Sequence, residues 1–420
     1  MVRFCRQTKL TLLLVLIFCS GQQVLANNPK QPVPFSKGLA SSAGMLLNTS
    51  PRGGVLPWCS LSLIRPDVVL SANHCVTSTH SGDTLKVFFP YEGIRDIDPE
   101  SIRPFCSGSD KAKEPSNSEG CSAWIDDLVI FRLSTPYLFL RPLKIGSAST
   151  TGIGSKAGIA GFGIEGANQS RYGIKHEGEM VISHCDHHGE TANSDSVDSG
   201  RVLCFKFDRL IPEETGIGPF DSGGPMISVN EETGEKTLIG VARGSLAIPG
   251  STGDVRMAKY VNLTNSLYKN WLAGEVFSGN FNQPPLSVEM LVSDEVRNLS
   301  PNEQADYSLD IRPSASRLIL TLNHEPGSSA FPNNLELQFP DKLKATCERY
   351  SSVEVCSVKQ PAVGNYRVSV GWDMQCDLDG RCRNPVYDVV YQMTAIALYD
   401  NVPGMITGNP AAGNESHVIK

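Results

Sequence analysis

Several features are scarce in this 420-residue sequence. Charged residues make up only 19%, which excludes a coiled coil and a charge-driven disordered chain. Positive charge is in deficit, with 37 Lys and Arg against 44 Asp and Glu. That balance argues against a nucleic-acid footprint, which needs clustered positive charge. No stretch approaches ~18 consecutive apolar residues, so no membrane span is expected. Cys-x-x-Cys is absent, which weakens zinc and thioredoxin-like redox readings. Helical periodicity is nearly absent as well. What the sequence does have is 12 cysteines, 38 glycines and 27 prolines. Cysteines at that density suit an oxidising compartment, and Gly and Pro supply turns between many short strands.

The first residues explain part of this. Arg3, Arg6 and Lys9 precede the short apolar run Leu10–Cys19, and Val24-Leu25-Ala26 offers a cleavage site. This is the pattern of a secretory signal peptide over residues 1–26, too short at ~15 Å of helix to cross a bilayer. Its removal takes Cys5 and Cys19, leaving an even set of ten cysteines and a more acidic mature chain. An even set in an exported chain points to disulfides.

Strand-like segments rich in β-branched and aromatic residues follow. They include Asp67–Ser71, Leu85–Phe89, Leu128–Phe131, Leu238–Ala242 and Arg317–Leu322. One helical stripe stands out, Leu263, Leu267, Trp271 and Leu272, which predicts a helix ending at Ala273-Gly274. The segment 278–286, containing Pro284-Pro285, reads as a linker between a first domain (27–277) and a second (287–400). The Gly/Asn/Pro-rich residues 401–420 read as a mobile tail.

Three short segments of the first domain carry chemistry. They are Ser71-Ala72-Asn73-His74-Cys75, Asp126-Asp127-Leu128-Val129-Ile130-Phe131 and Asp221-Ser222-Gly223-Gly224-Pro225. Acyl transfer by a serine needs a base for its proton and a buried acid to orient that base. His, Asp and Ser occur here in that order, each beside an apolar strand. Any one motif is a weak signal; the three in order are a strong one.

These segments, with Cys59-Ser60-Leu61-Ser62-Leu63-Ile64 where the family has Cys-Gly-Gly-Ser-Leu-Ile, resemble the trypsin/chymotrypsin-like serine proteases over roughly Gly38 to Gly274. The resemblance implies a double six-stranded β-barrel, peptide or protein substrates and no cofactor or metal. Position by position it assigns His74 as base, Asp127 as orienting acid and Ser222 as nucleophile. Asp126 is the rival acid; Asp127 is preferred because it abuts the apolar run. The resemblance also implies an oxyanion hole from the backbone N–H groups of Phe220 and Ser222. It implies a substrate pocket at Gly216, Arg243 and Gly244, with a small or apolar residue preferred before the cleaved bond. It pairs Cys59 with Cys75 and Cys185 with Cys204. Elimination leaves Cys106 with Cys121, closing a polar insertion at Ser107–Gly120.

Two departures matter. Phe220 stands where the family has glycine, and a Cβ there restricts the backbone of the oxyanion hole. No Ile-Val-Gly-Gly string precedes His74, so the partner of Asp221 is open. Outside the triad, His184, His187 and His188 lie near Asp186 and Glu190, and read as a solvated loop rather than a zinc site. His80 and His176 read as surface residues.

In the second domain, Cys347 and Cys356 precede Pro361-Ala362-Val363-Gly364-Asn365-Tyr366-Arg367-Val368, where Tyr366, Val368 and Val370 alternate. This resembles the bacterial pre-peptidase C-terminal domain, implying a small jelly-roll-like β-sandwich with bridges Cys347–Cys356 and Cys376–Cys382. The expected function is secreted serine endopeptidase, extracellular or periplasmic. The alternatives are an inactive binding protein on the same fold, or an adhesin whose sandwich contacts a glycan or cell surface.

Overall fold

The computed structural model describes residues 31–32, 41–105, 126–185, 200–276, 286–372 and 388–400, apart from 52–54, 91, 139, 165–171, 212–214, 249, 252–253, 302, 326, 329–330, 333–334 and 351. The expected leader, Cys106 and Cys121, His187 and His188, the linker up to residue 285, Cys376 and Cys382, and the tail lie outside them. Among the described residues, no helix is long and apolar enough to cross a membrane.

After the two-residue strand β1 (Gln31–Pro32) come β2 (Ala43–Thr49), β3 (Val55–Arg65) and β4 (Val68–Ser71), then one helical turn, α1 (His74–Thr77). Next are β5 (Thr84–Phe89), β6 (Gly93–Asp96), β7 (Arg103–Pro104) and β8 (Val129–Arg132). They pair in the order β6-β5-β2-β3-β4-β8-β7. All four residues of β4 are buried, so one face looks into the barrel core and the other is covered by the rest of the molecule. Leu46, Leu61, Leu63, Val69, Phe88 and Phe131 fill that core.

A second sheet comprises β9 (Lys144–Ile145), β10 (Lys156–Gly161), β11 (His176–Val181), β12 (Val202–Asp208), β13 (Pro225–Val229), β14 (Lys236–Ala247) and β15 (Val255–Asn262). Its order is β1-β11-β10-β13-β14-β15-β12, with β9 parallel to β14. Ile159, Phe205, Met226, Ile239 and Tyr260 form its core. The two curled sheets fit the double barrel expected from the sequence.

Helix α2 (Ser266–Val276) closes this domain, and it differs from the expectation. Its buried stripe is Tyr268, Leu272 and Val276, while Leu267 is exposed and Leu263 is buried before the helix begins. Asn265 sets the start, its side-chain oxygen accepting from Leu267 N at 3.0 Å. Gly274 does not stop the helix, because Val276 beyond it has a core site to fill.

The C-terminal strands are β16 (Leu286–Leu299), β17 (Ala305–Ile311), β18 (Ala315–His324), β19 (Gly327–Ser328), β20 (Phe331–Pro332), β21 (Leu335–Gln338), β22 (Thr346–Tyr350), β23 (Val353–Lys359), β24 (Gly364–Trp372) and β25 (Val389–Asp400). Sheets β16-β25-β18-β23-β22 and β17-β24-β21 enclose a shared core of Leu309, Leu320, Val368, Val370 and Tyr391. A disulfide joins Cys347 to the directly opposed Cys356. The five-stranded sheet is covered on its other face too. Ile319, Val353, Ile396 and Leu398 join the first barrel's apolar cluster, and Lys86 lies over the ring of Tyr350 at 5.9 Å.

Candidate active site

Pairing of β4 with β8 places Ser71 opposite Val129, so the chain leaving β4 meets the chain entering β8. His74 opens α1 just after β4, and Asp127 sits two residues before β8. The His loop is pinned by the Cys59–Cys75 disulfide and by Trp58, whose Nε1 donates to Cys75 O at 2.8 Å.

Asp127 receives two hydrogen bonds from the same residue. His74 N donates to Oδ1 at 2.8 Å, and His74 Nδ1 donates to Oδ2 at 2.6 Å. The Asp127 side chain is 1% exposed and the imidazole 35% exposed. A carboxylate only accepts, so the proton resides on Nδ1 and the Nε2 lone pair is free to take another. Asp126 points elsewhere. Its Oδ1 accepts from the Tyr268 hydroxyl at 2.6 Å and pairs with the Arg201 guanidinium. It thus ties the approach to β8 to α2 and to the start of β12.

Asp221-Ser222-Gly223-Gly224 passes between the two sheets. Ser60 N donates to Ser222 O at 2.8 Å, and Gly223 N to Ala242 O at 2.7 Å. Gly223 has φ +83°, and a Cβ there would collide with Ser71 Oγ and Ser60 O, so only glycine fits. Asp221 is 2% exposed, and its carboxylate accepts from Gly163 N and Gly218 N, each at 2.9 Å. The Ser222 side chain makes no hydrogen bond among the described residues. Looser nucleophile–base geometry is common before substrate binds.

Phe220 carries a positive φ of +71° despite its side chain, and its ring stacks on Tyr172 with centroids 5.0 Å apart. The N–H groups of Phe220 and Ser222 donate to nothing among the described residues.

The family model described as Trypsin matches residues 33–272. The chain belongs to the trypsin family. No curated protein matches it.

In this trypsin-family domain, of the positions expected to line the pocket, only Gly216 is tightly enclosed. A Cβ at Gly216 would collide with the Phe207 ring, so Phe207 stands where a charged pocket base would have to be. Arg243 sits at a register shift between Ala242 and Gly244 on β14, half-buried, and open space surrounds the position of a Gly244 side chain. A disulfide joins Cys185 to Cys204.

His176 is not a surface residue. It is 3% exposed in β11, with Nδ1 2.9 Å from Ile174 O. Its neighbours Lys175 and Glu177 are buried with it and pair with each other at 2.9 Å, and two charged residues beside it conceal that burial in the sequence. His80 and His184 are exposed. Cys59, His74 and Cys75 lie close enough for a metal, but both thiols are spent in a disulfide, which removes the thiolate ligands. Sequence reading missed Ser60, Tyr172, Phe207 and Arg201. Only Ser60 carried a signal, as a hydroxyl residue where the family has glycine.

Proposed function

We propose that this chain is a secreted serine endopeptidase working through an acyl-enzyme. The observation that carries the reading is the pair of hydrogen bonds from His74 to the buried Asp127. His74 Nε2 takes the proton of Ser222 as its oxygen attacks the peptide carbonyl. Asp127 holds the correct tautomer and stabilises the imidazolium. The N–H groups of Phe220 and Ser222 receive the charge that develops on the carbonyl oxygen. The imidazolium then protonates the leaving amine, and water, activated by the same base, hydrolyses the acyl-enzyme.

Phe207 behind Gly216 closes the pocket to long charged side chains, so a small or apolar residue precedes the cleaved bond. The signal-peptide pattern of residues 1–26 and the disulfides support an extracellular or periplasmic location. A peptide-library digest tests the reading. Cleavage after small or apolar residues by the wild type, and none by Ser222→Ala, is expected. Equal cleavage by both proteins contradicts it.

A further inference from the structure

Phe220 poses a problem that the structure also answers. A non-glycine residue at positive φ is strained, and it persists only where its surroundings hold it. Its own N–H group is the one the proposed chemistry needs.

Three contacts fix the peptides on either side of it. Pro219 O accepts from Ile164 N at 2.9 Å, which anchors the peptide before Phe220. Because that peptide is planar and trans, its N–H must point away from the anchored oxygen. Asp221 N donates to Gly218 O at 3.2 Å, and Phe220 O accepts from Ser60 Oγ at 2.9 Å, which anchor the peptide after it at both ends. Rotation about either soft dihedral of Phe220 would break at least one of these bonds.

Ser60 is the member of this set that the family pattern does not supply. Its side chain is 0% exposed, so no bulk water competes for it. Phe162 N donates to Ser60 Oγ at 3.0 Å, which occupies an oxygen lone pair and directs the hydroxyl proton toward Phe220 O. Ser60 N meanwhile holds Ser222 O at 2.8 Å. One residue therefore grips the segment on both sides of Asp221. The Tyr172 ring braces the Phe220 side chain from outside.

We propose that Ser60 is a positioning residue for the oxyanion hole. Its hydroxyl offsets the cost of a side chain at position 220 and keeps the Phe220 N–H aimed at the reacting carbonyl. This rests on the endopeptidase reading. Its energetic content, a coupling between the Ser60 hydroxyl and the backbone of residue 220, does not.

The test is a double-mutant cycle on the full chain with Ser60→Ala, Phe220→Gly and the pair, read as kcat, KM and urea midpoint. Glycine adopts positive φ without strain, so the brace is needed only when phenylalanine is present. Loss of a whole oxyanion donor lowers kcat by about 10²–10³, so partial misalignment in Ser60→Ala should lower it on the order of tenfold with KM little changed. In the Phe220→Gly background the same substitution should have almost no effect on kcat. Equal losses in both backgrounds mean that Ser60 merely supports Phe162, and overturn the proposal. If the wild type neither cleaves peptide nor takes up a fluorophosphonate, the endopeptidase reading fails, and the urea midpoints still decide on the brace. A smaller midpoint loss for Ser60→Ala in the Phe220→Gly background supports it, and an additive loss overturns it.

Discussion

Val355 of the sandwich stands where a side chain on Gly93 of the first barrel would have to go, its Cγ1 2.6 Å from an ideal Cβ. Gly93 is also at φ +81°. The sandwich and the first barrel therefore meet at a site that admits no substituent. Gly93→Ala should lose stability by roughly 2–5 kcal/mol, combining left-handed strain with overpacking. Adding Val355→Ala should restore the overpacking part and leave the strain. Urea unfolding of the single and double variants measures both. A Val355→Ala background that restores nothing would mean that the domains do not meet there.

The two adjacent aspartates should separate cleanly. Asp127→Asn keeps the shape but loses the acceptor that fixes the His74 tautomer, so kcat should fall by about 10⁴ while the protein stays folded. Asp126→Ala removes the carboxylate that joins the Arg201 guanidinium and the Tyr268 hydroxyl at the junction of β8, β12 and α2. It should cost roughly 3–5 kcal/mol of stability and leave kcat of the folded fraction nearly intact. Kinetics and thermal melts on the two variants check this. A reversed pattern would exchange their roles.

Much of this was legible in the sequence. The strand-like segments Leu85–Phe89 and Arg317–Leu322 lie on β5 and β18, and Asp67–Ser71 on β4 but for Asp67 in the turn before it, because β-branched and aromatic runs between turn residues have few other uses. The face of α2 was misread by one position, since Leu267 and Tyr268 are adjacent apolar residues and only packing selects between them. Docking of the sandwich on the barrel was not legible. Ile319 and Thr321 on β18 and Thr394 and Ile396 on β25 point at the first domain rather than at solvent, and sequence alternation cannot say what covers an outer face.

His324 predicts a pH dependence. It is buried, and desolvation pushes its imidazole down to about 4 from an ordinary 6.5. The unfolded chain therefore binds a proton in a range where the folded chain refuses it. This group's contribution is present above pH ~6.5 and is lost as pH falls toward about 4, for a total of about 3 kcal/mol. Melting temperature against pH should be flatter in His324→Gln than in the wild type between those limits. Parallel curves would contradict the assignment.

Phe207 should set the pocket floor. Phe207→Ala removes the ring that collides with any substituent at Gly216, and it should broaden preference toward larger apolar residues before the cleaved bond. It should also cost about 3–5 kcal/mol through the cavity. A library cleavage profile at a temperature where the variant stays folded reads the change. An unaltered profile would move the specificity determinant to Arg243 and Gly244.

The proposed activity stands on Ser222 being a nucleophile activated by the His74–Asp127 pair. Intact-mass measurement after exposure to a fluorophosphonate tests that directly. The folded, processed wild type should gain one adduct, mapped to Ser222, with Ser222→Ala gaining none and His74→Ala reacting far more slowly. A folded, processed wild type without the adduct, or with it on another residue, would contradict that role for Ser222.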